Sequence, residues 1–153
     1  MHGQGLRWVQ LGGEDLDSFL DRGGTGVLSF GSTAEEPPFS IPVSYGYYAD
    51  EGHFYFRLSF PEGHSGGKTA VLDRPVSFVV YAETDDGWHS VVATGSLEEI
   101  SDAPYESAAV QGMWAVQIPA VDVFERPPDD VTFRDFRLVP DRVTGRREVE
   151  TAE

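Results

Sequence analysis

The stretch from Glu62 to Thr69 reads EGHSGGKT and follows the strand-like run HFYFRLSF. Glycines followed by a lysine and a hydroxyl residue are the materials of a phosphate site: backbone amides in a tight turn plus one ammonium group. The nucleotide-binding P-loop needs a glycine six residues before the lysine of its Gly-Lys-[Ser/Thr] triplet. With Lys68 in that role, the first glycine position falls on Glu62. A carboxylate there repels phosphate, and its backbone lacks the freedom of glycine. A P-loop also opens a long helix, whereas KTAVLDRP meets Pro75 after about two turns. The nucleotide P-loop is excluded; an anion site of the same physics is not.

The charge balance sharpens this. The 153 residues carry 26 acidic and 11 basic side chains, a net charge of −15. Lys68 is the only lysine; the other basic residues are arginines. A lysine kept in a Gly-Gly turn, in a chain otherwise emptied of lysine, favours a functional role over a solvated loop position. Such an acidic surface excludes nucleic acid and anionic membranes as partners, both of which require a basic footprint. The acids are spread through loops rather than gathered in a tail, which suits very high salt, where self-repulsion is screened. A halophilic archaeal source is the expectation. With no cysteine there are no disulfides and no thiolate metal sites. MHGQGLRWVQ lacks a signal-peptide layout and no run reaches the length of a membrane span, so a soluble cytoplasmic protein is expected.

The elements that must position the turn are mainly strands. EDLDSFLDRGGTG reads as a short helix, with acids in its first turn and a Gly-Gly stop. Strands are predicted over 26–30, 39–48, 53–60, 75–83, 88–100 and 131–140. ADEG and TDDG are hairpin signals with glycine last. A short helix around KTAVLD and another over 102–114 complete the pattern. Six strands with Gly-marked bends predict a small antiparallel β-barrel with two or three peripheral helices, spanning 1–140 as one domain, and a polar tail over 141–153. Gly95 is where a bulge or barrel bend is expected. Pro42, inside the second of these strands, demands that one side of that strand lack a ladder partner.

The order of these pieces resembles the pyridoxamine 5′-phosphate oxidase-like flavoproteins, the FMN-binding split-barrel family, and within it the nitroimidazole-reductase-like branch. The likeness runs through FLDRGGTGVLSF, IPVSYGYYADEGHFYFR, GGKTAVLDRPVSFVVYAETDDGWHSVVATGSLEEI and FRLVPDRVTGRR, nearly the whole chain. The resemblance implies a mainly-β, six-stranded antiparallel split barrel that binds FMN, works as a homodimer and acts as an oxidoreductase on a small organic substrate. It assigns the FMN phosphate to Arg57 and Lys68, with Gly66, Gly67 and Thr69 supplying amides or a hydroxyl. It sets the ring beside Pro42, Val43 and Ser44, and brings Trp88 and Ser90 to the ring and ribityl chain, often from a second subunit. The flavin carries the chemistry, so no catalytic side chain is demanded. The competing role for Arg57 is a surface ion pair with Asp50 or Glu51.

Other readings stay open at this level. Split barrels also hold deazaflavin or haem, and a flavin module need not turn anything over. Pyridoxamine phosphate oxidation itself is disfavoured, because FRLVPDRVTGRREVETAE does not look like the segment that finishes that substrate site. His2, His53, His64 and His89 show no ligand spacing, so no metal is expected. There is no G-x-S-x-G elbow for a hydrolase.

Overall fold

The computed structural model describes residues 6–33, 35–61, 73–100, 104, 107, 110, 112–113 and 131–150. Its elements are β1 (Leu6–Gln10), α1 (Gly13–Asp21), β2 (Gly24–Phe30), β3 (Phe39–Tyr48), β4 (His53–Pro61), β5 (Val76–Thr84), β6 (Gly87–Glu99) and β7 (Val131–Glu150). All pairings are antiparallel, in the order β1-β7-β4-β3-β2-β5-β6, and β6 pairs back onto β7. Six strands therefore close into a barrel, with β1 added outside the ring along the far end of β7.

β7 performs the closure. Its first part, Val131 to Leu138, pairs with β4, and Phe136 to Arg147 pairs with β6. The register slips between Thr94 and Gly95: Thr94 opposes Arg142 but Gly95 opposes Pro140, so Asp141 is left over as a bulge. Gly95 is the residue that admits it, since a Cβ there would lie 2.8 Å from the Val139 carbonyl oxygen. The bend expected at Gly95 is found there. Both hairpins close as expected, with Gly52 and Gly87 at φ of 71° and 105°.

Three expectations need correction. β1 has no counterpart in the sequence reading, because five residues of mixed polarity carry little periodic signal. The last strand does not stop at Pro140 but runs to Glu150, so residues 141–150 are strand rather than tail. Their polar character reflects an outer face, while Gly145 packs inward at 3.0 Å (as a built Cβ) from Leu11. Of the peripheral helices, α1 is present; in the second, residues 110, 112 and 113 are helical and 104 and 107 are not. The helix proposed around KTAVLD lies outside the described residues, apart from Asp73 in a turn.

Alternation along the strands fills the interior with Leu28, Phe30, Val43, Tyr45, Tyr47, Phe54, Phe56, Leu58, Val76, Phe78, Val80, Val91, Ala93, Phe136 and Leu138. Phe78 is the hub: Tyr45, Phe54 and Phe56 meet it edge-on at centroid distances of 5.3, 5.6 and 4.8 Å. α1 closes one end with Phe19 and Leu20, and Tyr47 Oη donates to Asp17 Oδ1 on it at 2.7 Å. Burial, chiefly, and then that bond and the Asp17 charge push the Tyr47 hydroxyl pKa up, so it stays a donor.

At Gly26 on β2 the constraint is volume rather than backbone conformation: a Cβ would sit 2.5 Å from the Val79 carbonyl oxygen and 2.7 Å from Phe78 Cζ. Gly26→Ala is expected to lose about 1–3 kcal/mol by overpacking this hub. Gly13→Ala, where nothing lies within 4 Å of the new methyl group, is expected to stay within about 0.5 kcal/mol or to gain. Denaturant unfolding at fixed salt checks the pair, and equal behaviour of the two variants would contradict it.

Candidate functional site

The barrel is split beside Pro42. The β2–β3 ladder runs unbroken from Gly24–Tyr45 to Phe30–Phe39, passing Pro42 opposite Val27. The β3–β4 ladder covers only Tyr45 to Tyr48 against Phe56 to His53. Among the described residues, 39–44 thus pair on one side alone, which is what a proline without an N–H tolerates. Beyond the Tyr45–Phe56 pair, β4 continues its ladder with β7, and Arg57 opposes Asp135 there.

The residues implied in cofactor binding fall as follows. Pro42 is exposed and Ser44 half-buried, at outward positions, while Val43 points into the core and offers the outer face only its main chain. Arg57 is outward on β4, one residue past the last β3–β4 pair, with its side chain 55% exposed. Its Nε donates to Asp135 Oδ1 at 2.9 Å, so its ionic partner is Asp135 rather than Asp50 or Glu51. Trp88 and Ser90 share the outer face of β6, and Trp88 leans on Tyr81 at 6.1 Å between ring centroids. Gly66, Gly67, Lys68 and Thr69 lie outside the described residues. One chain therefore brings Pro42, Ser44 and Arg57 together around the split. Trp88 and Ser90 are on β6, and β2 and β5 lie between it and Pro42 and Ser44 on β3, three strand spacings or about 14 Å at ~4.8 Å each.

What lies between is informative. Pro42, Val27, Val79 and Val92 are in register across four strands, on the outer face. Val92 is 37% exposed, and beside it stand Trp88 at 39% and Tyr81 at 62%. An apolar row flanked by exposed aromatics is an unusual surface for so acidic a chain. One step along each strand runs a row of hydroxyls: Ser40, Ser29, Ser77 and Thr94. Ser29 and Ser40 share a hydrogen bond of 2.7 Å. A cleft of about 400 Å³ opens over Ser29, Ser77 and Thr94 of this row, with Ser96, Gly31 and the bulged Asp141 also at its edge. The sequence reading missed it, and its signal was the polar alternate residues within GVLSF, PVSFVV and VVATGS.

A second cluster occupies the outer face of β4 and β7. Tyr55 and Ile100 are buried there, against Tyr48 and Met113. Gly112 approaches so closely that a Cβ would meet the Tyr55 hydroxyl. Arg137 Nη2 donates to both Glu98 oxygens at 3.0 and 3.1 Å. Burial disfavours the Arg137 charge, but bonds to Glu98 and Tyr55 outweigh it and raise the pKa. Burial, then the Arg137 charge, lowers the His53 pKa, against opposing pulls from Glu51 and Glu98. Among the described residues no three His, Cys, Asp or Glu side chains group as a metal site, and no helix is long and apolar enough to cross a membrane.

The sequence pattern of the family described as pyridoxamine 5′-phosphate oxidase matches residues 13–147. Among curated proteins none matches the chain. Solved structures share the fold. An FAD-binding protein from Mycobacterium smegmatis is 15% identical with a TM-score of 0.65, covering 92% of this chain and 98% of its own. An FAD-binding protein from Mesorhizobium loti is 20% identical with a TM-score of 0.59, over 96% and 99%. A haem-binding protein from M. smegmatis is 19% identical with a TM-score of 0.57, over 94% of this chain but 59% of its own.

The lowered His53 pKa has a consequence for stability. The folded state binds the proton more weakly than the unfolded chain, so the contribution is complete above the usual imidazole value near 6.5 and shrinks as pH falls through the lowered folded value. His53→Gln is expected to lose less stability than the parent between pH 7 and 5, measured by denaturant unfolding at fixed salt. Parallel pH profiles would contradict this.

Proposed function

The chain belongs to the pyridoxamine 5′-phosphate oxidase family, and from that premise we propose that it is a homodimeric FMN-binding oxidoreductase acting on a small organic substrate. The observation that carries this reading is the split beside Pro42 with Arg57 at its lip. A planar, largely apolar ring with a phosphate at the end of a flexible chain needs a flat unpaired strand edge and a nearby cation, and residues 39–44 and Arg57 offer both. Arg57 Nη groups and Lys68 would hold the phosphate dianion by charge-assisted bonds. Main-chain groups of Pro42, Val43 and Ser44 would lie along the ring. When bound, FMN supplies hydride transfer at its ring; the protein supplies position and hydrogen bonds.

Trp88 and Ser90 lie on β6, with β2 and β5 between them and Pro42 and Ser44 on β3, and this supports a site completed by a second subunit. A two-fold contact over the apolar row would bury Val27, Val79, Val92 and Tyr81 and carry the partner's Trp88 and Ser90 toward the split. Within the family the nitroimidazole-reductase-like branch suits the chain better than pyridoxamine phosphate oxidation. The segment 141–150 is committed to hydrogen bonding with β6 and β1 and leaves little to finish a second substrate site. The acidic surface supports a cytoplasmic protein of a halophile, whose stability rises from low to molar salt.

Lys68→Ala is expected to weaken FMN binding by roughly ten- to a hundred-fold, the loss of one charge-assisted contact of about 1.5–3 kcal/mol. Flavin fluorescence during titration of the apo-protein reads it, and an unchanged curve removes Lys68 from the site. Val92→Asp, at an already exposed position, is expected to give a monomer by light scattering with reduced flavin occupancy. A parent protein that is monomeric yet fully loaded would contradict the shared site. A loaded protein that neither NADH nor NADPH reduces, and that no acceptor reoxidises, would make it a flavin-holding module instead.

A further inference from the structure

Three arginines of the described residues are in ion pairs, and they are not paired alike. Arg134 is closed by Glu99, which takes both its Nε and its Nη2. Arg137 gives Nη2 to both oxygens of Glu98, and its side chain is only 16% exposed. Arg57 gives Asp135 its Nε alone, and its side chain is 55% exposed. A guanidinium has five N–H donors in a fixed fork. Engaged from the Nε side, it still presents both terminal nitrogens, and among the described residues nothing takes them.

The carboxylate that grips Arg57 is itself held. Asp135 lies directly across the β4–β7 ladder from Arg57, and its carbonyl oxygen accepts the Ile100 N–H at 2.9 Å. Its backbone is thus fixed from both sides, and its Cβ direction with it. A long side chain on an open strand otherwise samples many rotamers, and fixing them on binding weakens affinity. We infer that Asp135 is a positioning residue: it orients the Arg57 guanidinium so that its terminal N–H pair faces the lip of the split, ready for an anion. This rests on the reading of Arg57 as a phosphate ligand. Asp135 itself touches no ligand in this account. Its negative charge works against the anion, so its value lies in orientation, and that separates it from a simple structural ion pair.

The test compares FMN with riboflavin, which lacks the phosphate, on the full-length protein. Asp135→Ala is expected to weaken FMN binding on the order of ten-fold while leaving riboflavin affinity unchanged. Asp135→Asn keeps an oxygen acceptor for Nε and removes the charge, so it is expected to hold the FMN-to-riboflavin preference of the parent or exceed it. An Asp135→Ala protein that keeps the full preference overturns the inference. So does an Asp135→Asn protein that loses as much as the alanine variant, because orientation would then not be the cause. Arg57→Ala tells the two levels apart: a preference unchanged in that variant removes Arg57 from the phosphate site and the underlying reading with it. A preference lost in Arg57→Ala but kept in Asp135→Ala removes only Asp135. Unequal losses of riboflavin binding would reveal a damaged fold.

Discussion

The β3–β4 ladder ends at Tyr45, and the rest of the molecule is arranged around that interruption. Pro42 cannot donate to a second neighbour, so β3 keeps β2 and releases β4. An open barrel would leave two edges exposed to pairing with other chains. Here β4 stays paired with β7 from Phe54 to Pro61, on the edge away from β3, and the length of β7 (Val131–Glu150) lets the same strand close onto β6. The bulge at Asp141 supplies the bend that this double duty needs. A gap of a few residues in one ladder is thereby offset by the long β4–β7 and β6–β7 ladders.

The interior and the outer face answer to different demands. Inside, an aromatic cluster around Phe78 is packed so tightly that Gly26 must lack a side chain. Burial pushes the Tyr45 hydroxyl in this cluster up to about 12, as expected for a core position rather than a reactive one. Outside, among the described residues, three arginines are held in cross-strand ion pairs, Arg57–Asp135, Arg134–Glu99 and Arg137–Glu98. Exposed pairs of this kind add little to stability; their weight lies in where they hold a guanidinium. Of these three paired arginines, Arg57, held only through its Nε, stands at the lip of the split.

Much of this was legible in the chain. Alternation in FSIPVSYGYY, HFYFRLSF and PVSFVVYAE marks the strands to within a residue or two, because one buried face forces period two. Pro42 announced an unpaired side, and Gly95 a bend, since each is a backbone property of the residue itself. What depends on pairing partners was not legible. LRWVQ and DRVTGRREVE read as irregular and polar, and become strands because they pair with each other and DRVTGRREVE also pairs with β6. The partner of Arg57 was misjudged for the same reason: Asp50 and Glu51 are near in sequence, whereas Asp135 is opposite in register, 78 residues away. The hydroxyl row needs four strands aligned before it exists at all.

The central claim is that the split beside Pro42 holds FMN. Its most direct test is the absorbance spectrum of the protein purified in high salt, with chromatography of any cofactor released on denaturation. The account predicts a two-band yellow spectrum and release of FMN. A colourless protein that also refuses added FMN would contradict it.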